Sequence, residues 1–95
     1  MYRVFRTKDF EKSYKRVKNS GKLRPQTVQN LTEAISILIT GNALPIAYKD
    51  HSLHGEMKQY RECHIKGDLL LIYQIKKEEL LLILVEFGTH SYLDL

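Results

Sequence analysis

The sequence predicts an α+β fold in which an N-terminal strand and a two-helix hairpin pack on an antiparallel sheet of about four strands. Three observations carry that expectation. The N-terminus alternates apolar and basic residues, two amphipathic helical periods follow, and three short apolar runs separated by polar turns complete the chain. Helices followed by a run of strands point to segregated layers. At 95 residues and 43% hydrophobic content there is room for one domain, 1–95, with one core.

Tyr2 to Arg6 alternates aromatic or aliphatic with basic side chains, the period of a strand. Thr7 is placed as a helix N-cap, its hydroxyl accepting from an orphan amide of the first turn. Phe10, Tyr14 and Val17 then share one face and Lys12, Lys15, Arg16 and Lys18 the other, until Gly21 stops the helix. Pro25 suits the first turn of a second helix, whose apolar stripe is Val28, Leu31, Ile35, Leu38 and Ile39 and whose end is Gly41. From Asn42 to Gly55 there is no clean period, and the stretch reads as a loop. Met57 to Ile65, Asp68 to Lys76 and Leu80 to Phe87 read as strands, the last two apolar enough to be covered on both faces. Lys66-Gly67 and Lys76-Lys77-Glu78-Glu79 are the turns between them.

The first of those turns admits two registers. A two-residue loop sets Ile65 opposite Asp68 and His64 opposite Leu69. A loop of Ile65, Lys66 and Gly67 sets His64 opposite Asp68, with Cβ atoms roughly 5 Å apart. The second is expected, because it gives the carboxylate a partner and places Gly67 in the left-handed conformation.

Fifteen Lys and Arg oppose eleven Asp and Glu, for a net charge of +4. The excess lies in residues 1 to 24, where Arg3, Arg6, Lys8, Lys12, Lys15, Arg16, Lys18, Lys22 and Arg24 face only Asp9 and Glu11. Such a chain favours a polyanionic partner, whether nucleic acid, an acidic protein or an anionic surface. The single cysteine, Cys63, excludes an internal disulfide and suits a reducing compartment. Basic residues interrupt the first ten positions, so no signal peptide is visible, and the longest apolar run, Leu80 to Val85, is far short of the roughly 20 residues that span a bilayer. A soluble cytoplasmic protein with no membrane partner is expected.

The chemistry concentrates between Tyr48 and Asp68, YKDHSLHGEMKQYRECHIKGD, answered by Gly88-Thr89-His90. Cleaving RNA by its own 2′-hydroxyl needs a base, an acid for the departing 5′-oxygen, and positive charge beside the phosphorane. Histidine serves either proton-transfer role near neutral pH, and Arg or Lys supplies the charge. His51, His64, His90 and Asp68, with Lys58 and Arg61 for the phosphate, form that inventory without a metal or cofactor. The plainer readings are a turn-closing Asp68, a solvated strand face for Arg61 and Lys58, and a loop histidine for His54. Zinc binding by the histidines and Cys63 meets a geometric objection: Cys63 and His64 are adjacent in a strand and point to opposite faces.

Tyr48-Lys49-Asp50-His51-Ser52-Leu53-His54-Gly55, Tyr60-Arg61-Glu62-Cys63-His64-Ile65-Lys66-Gly67-Asp68, Leu71-Ile72-Tyr73 and Gly88-Thr89-His90-Ser91 resemble the YafQ branch of the RelE/ParE toxin superfamily. The order of elements resembles that fold over essentially the whole chain. The resemblance implies the toxin of a type II toxin–antitoxin pair, an endoribonuclease that cuts mRNA, commonly on the translating ribosome. It implies His51, His64, Asp68 and His90 as active-site residues, with His90 as the acid and His51 or a His64–Asp68 pair on the base side. It further implies a cognate antitoxin as partner, with operator DNA reached only through that antitoxin. Three positions depart from the family pattern: Leu69 stands where relatives carry an aromatic, Glu86 where some carry Arg, and Asp94 at the usual C-terminal aromatic, for which Tyr92 is the nearest substitute. A lost stacking ring and a gained carboxylate imply weaker RNA binding. The alternative is therefore a member that has lost cleavage and works by binding a ribosome, RNA or gyrase.

Overall fold

The computed structural model describes residues 1–93. The chain runs β1 (Arg3–Arg6), α1 (Lys8–Asn19), α2 (Pro25–Ile39), a 3₁₀ turn (Ile46–Tyr48), β2 (His51–Ser52), a second 3₁₀ turn (Gly55–Met57), β3 (Arg61–Lys66), β4 (Leu69–Lys76), β5 (Leu81–Thr89) and α3 (His90–Leu93). The expected α+β architecture is present. The sheet differs from the expectation in two particulars. It has five strands in the order β1-β5-β4-β3-β2, and β1 runs parallel to β5. The extra strand is the two-residue β2, where His51 and Ser52 pair with Glu62 and Arg61 inside the stretch expected to be loop. Two residues are too few to show a period, so only the pairing partner reveals it.

The helix signals operate as expected. Thr7 Oγ1 accepts the Phe10 amide at 2.9 Å, and its own hydrogen goes to the Val85 carbonyl at 2.8 Å. That second bond coincides with a bulge: Ile72 pairs with Glu86 and Tyr73 with Leu84, so Val85 is the extra residue of β5. Pro25 opens α2. The buried row of α2 is Thr27, Leu31, Ala34 and Leu38, one residue out of step at its start from the expected stripe, and Val28 is left 38% exposed.

Phe10, Val17, Leu31, Ala34 and Leu38 from the helices meet Cys63, Ile65, Leu69, Leu71, Tyr73, Leu82, Leu84 and Phe87 from one sheet face. Ser13 sits inside this layer with its hydroxyl satisfied twice, donating to the Phe10 carbonyl and accepting the Phe87 amide. Leu70 and Ile72 are buried on the opposite face, as the expectation of a doubly covered β4 requires. Among the described residues no helix is long and apolar enough to cross a membrane.

Candidate active site

Alternation along β3 sends Cys63 and Ile65 into the core and leaves Glu62 and His64 together on the other face. Pairing with β2 places His51 directly opposite Glu62. Crossing the sheet from His64, the next residues are Leu70 and then Gly88, after which β5 ends and α3 begins with His90. Gly88 is what lets α3 fold back, since a Cβ there would lie 3.0 Å from the Tyr92 ring.

Three separate elements thereby aim their imidazoles at one point. His51, His64 and His90 bring Nε2 to 3.5, 3.6 and 3.8 Å from the same Oε1 of Glu62. The His64 ring lies between the other two, at centroid distances of 6.5 and 6.0 Å. The Glu62 side chain is 3% exposed, whereas those of His51 and His90 are half exposed. The three rings thus share one buried carboxyl oxygen. The face opens into a cavity of about 310 Å³ lined by His51, Leu53, His54, Met57, Glu62 and His90.

The loop carrying His51 is anchored from below. Asp50 accepts from Arg61 Nη2 at 3.1 Å and Nε at 3.3 Å, and from the Tyr73 hydroxyl at 2.5 Å. Lys49 takes the left-handed conformation (φ 50°), which turns its carbonyl to His51 Nδ1 at 2.8 Å. A carbonyl can only accept, so Nδ1 carries the hydrogen, and the Nε2 of a neutral His51 is left as the acceptor facing the cavity. Burial first, and then Asp50, hold the Tyr73 hydroxyl above the ordinary tyrosine range, while the bond to Asp50 raises Arg61. A raised acid contributes stability in full below its unfolded value of about 10 and loses it as pH rises through the folded value. Tyr73→Phe is therefore expected to cost about 1.5–3 kcal/mol at neutral pH, the range for a hydrogen bond to a charged group. Urea unfolding of both proteins should show the gap narrowing in strong alkali.

The expected pairing of His64 with Asp68 does not form. His64 pairs with Leu70 and Lys66 with Leu69, with a bulge between His64 and Lys66, so the loop is the two residues Gly67 and Asp68. The bulge keeps the Ile65 side chain in the core while its carbonyl accepts from Asn30 Nδ2 at 2.8 Å. Asp68 is exposed in the turn. Glu62 stands where that carboxylate was expected. The readable signal was its i, i+2 spacing from His64 in a strand. Arg61 is tied to Asp50 rather than open to a phosphate, Lys58 is exposed at the end of the second 3₁₀ turn, and His54, read as a loop residue, lines the cavity. Tyr92 lies on α3, 40% exposed, with the Arg16 guanidinium 4.1 Å from its ring centroid. Leu69 points into the core, and Glu86, its carboxyl raised by burial and then by Asp9, pairs across from Ile72. Asp94 lies outside the described residues.

Cys63 is fully buried on the far side of β3, and burial, then Asp50 and Glu62, push its thiol up to about 12. It is thus an inert core residue. Among the described residues no group of three or more His, Cys, Asp and Glu side chains is arranged to hold a metal ion.

Residues 2–94 match the family model for the bacterial toxin of type II toxin–antitoxin systems, YafQ. The mRNA interferase toxin YafQ of Escherichia coli K12 is 35% identical over 89 residues, 92% of this chain and 85% of that protein. The putative toxin YafQ of Haemophilus influenzae is 58% identical over 41 residues, 43% of this chain and 40% of that one. Among solved structures, a metal-bound toxin from Helicobacter pylori is 42% identical with a TM-score of 0.83, covering 98% of this chain and 99% of that one. YafQ in the E. coli DinJ–YafQ toxin–antitoxin complex is 30% identical with a TM-score of 0.82, covering 97% and 96%. The chain, matched along nearly its whole length and carrying the histidine cluster on the same fold, belongs to the YafQ family of bacterial type II toxin–antitoxin toxins.

Proposed function

We infer that this toxin is an endoribonuclease that cuts mRNA by attack of the RNA's own 2′-hydroxyl, with the substrate presented on the translating ribosome. The observation that carries the reading is the convergence of three imidazole Nε2 atoms on one buried carboxylate, open to a cavity. The interferase activity named for the E. coli relative supports it.

His51 takes the 2′-hydroxyl proton, because its Nδ1–H is committed to the Lys49 carbonyl and its Nε2 is the free acceptor. The 2′-oxygen bonds to phosphorus, and the bond from phosphorus to the 5′-oxygen breaks. Protonated His90 gives its hydrogen to that oxygen, leaving a 2′,3′-cyclic phosphate and a 5′-hydroxyl. His64, between the two rings, faces the phosphate as a cation when protonated, with Glu62 behind it as counter-charge. Glu62 is a positioning residue whose carboxyl oxygen lies 3.5 Å from the Nε2 of His51 and offsets the positive charge that forms on that ring, while the Lys49 carbonyl holds Nδ1–H. Lys58 supplies further charge toward the RNA, and Arg61, anchored on Asp50, stiffens the loop beneath His51. Asp68, exposed in the β3–β4 turn, takes no part in the two proton transfers on this reading. No step calls on a metal.

The partner is a cognate antitoxin, as the toxin–antitoxin complex of the E. coli relative supports. Its chemistry follows from the exposed cationic face of α1, where Lys12, Lys15 and Lys18 border a groove with Tyr14 and the single carboxylate of Glu11. An acidic, amphipathic segment fits there, and operator DNA is reached through the antitoxin.

Inducing the protein in cells without antitoxin and mapping mRNA 5′ ends tests the reading. New ends within coding frames are expected. Growth arrest with unchanged ends would sink the catalytic reading and leave a toxin that acts by binding a ribosome or gyrase.

A further inference from the structure

β2 covers the outer edge of β3 only at Arg61 and Glu62. Beyond them that edge meets α2 and the 3₁₀ turn that precedes His51, and a cavity of about 330 Å³ opens among the three. His64 lines it, so the ring whose Nε2 lies 3.6 Å from Glu62 is also a wall of this second cavity. Pro45, Ala47 and Tyr48 of the turn and Asn30 and Glu33 of α2 supply other walls. The polar groups among them are not equally free. The Asn30 side chain is held at both ends, its Nδ2 donating to the Ile65 carbonyl and its Oδ1 accepting from Gln26 Nε2, each at 2.8 Å. The Asn30 carbonyl accepts the Tyr48 hydroxyl at 3.3 Å. Burial first, and then Glu33, raise that hydroxyl, which sets the Glu33 carboxylate beside the Tyr48 tip at the cavity wall. Among the described residues no lysine or arginine lines the cavity.

We propose that this cavity holds the base of the nucleotide on the 5′ side of the cut, and that Glu33 selects guanine there by accepting from its N1–H and N2–H. The proposal rests on the ribonuclease reading with His51 as the base. That nucleotide carries the attacking 2′-hydroxyl, and the turn that walls the cavity runs through Lys49 and Asp50 directly into His51. His51 and His90 line the reaction cavity, and His64 lies between that chemistry and the second cavity. A carboxylate with no cation beside it repels phosphate, so the part of RNA that fits is the uncharged base. An ionised carboxylate only accepts hydrogen bonds. Guanine alone offers two adjacent donors on its Watson–Crick edge, the edge by which proteins read unpaired RNA bases. Adenine and cytosine set one amino group beside an acceptor, and uracil sets its N–H between two carbonyls.

Glu33→Gln is the test. The side chain is exposed on α2, and Gln keeps its size and helix propensity while turning one acceptor into a donor. Gln then matches adenine, accepting from N6–H and donating to N1. Both proteins are induced without antitoxin, message 5′ ends are mapped, and the base immediately 5′ of each cut is counted against its frequency in the same messages. Wild type should favour guanine there, and the ratio of guanine to adenine should fall at least about tenfold in Glu33→Gln, the scale of one two-bond contact to a base. A loss of helix packing would slow cutting at every base alike and would not move the preference to adenine. An unchanged base profile in the variant, at full or reduced cutting, therefore overturns the pocket and leaves the ribonuclease standing. So does a wild type that cuts without guanine preference at that position. Loss of all cutting by a folded Glu33→Gln also overturns it, because an exchanged preference leaves adenine sites to be cut. A wild type that produces no new ends removes the ribonuclease reading, and the pocket falls with it.

Discussion

Glu62→Gln is expected to lower the rate of message cleavage about a hundredfold while leaving the fold and antitoxin binding in place. The carboxylate lies 3.5–3.8 Å from three imidazoles, and unit charges at about 4 Å are worth about 4 kcal/mol at a near-surface dielectric of 20. Two of the rings are half exposed, so solvent screening reduces that to about 2–3 kcal/mol, close to two decades in rate. Gln keeps the size and the polar atoms, so the packing around Leu70 and Ile72 should survive. Single-turnover cleavage would give the rate, and circular dichroism, which loss of charge alone should leave unchanged, would separate lost charge from lost packing. Full activity in Glu62→Gln would refute the role given to Glu62.

His51→Ala and His90→Ala should each slow cleavage by about 10²–10⁴-fold, the usual worth of a positioned acid or base. They should differ in kind. The wild-type profile of rate against pH is expected to rise and then fall, because one ring must be neutral and the other charged. Removing His51 should abolish the rising limb and removing His90 the falling one. The double variant should fall little below the worse single one, since the two act in one concerted transfer. An RNA substrate with a better 5′ leaving group should rescue His90→Ala and leave His51→Ala slow. Rescue of both, or of neither, would reverse or remove the roles proposed here.

Much of this arrangement was legible before the fold was known. Thr7, Gly21, Pro25 and Gly41 mark helix ends by local backbone chemistry, and those marks need no tertiary context. The histidines stood out because their spacing and neighbours match a family pattern. The partner of those histidines was not legible. The register of the β3–β4 hairpin was expected to favour an Asp68–His64 pair, but burial of Ile65 and the Asn30 bond to its carbonyl impose a bulge that the turn residues alone do not encode. Once register shifts, Asp68 goes to solvent and Glu62 is the carboxyl group that the three imidazoles face. β2 was hidden for a related reason, since a two-residue strand exists only through its partner.

The sequence by itself determined the fold class, the two helices with the cationic face of α1, and the three strands that follow, because periodicity and capping are local properties of the chain. The tertiary structure alone decided that His51 and His90 share the carboxylate of Glu62, and that Arg16 from α1 meets Tyr92 of α3. Those contacts join residues 11 to 76 positions apart and follow from how the sheet closes against the helices, not from any one segment's pattern.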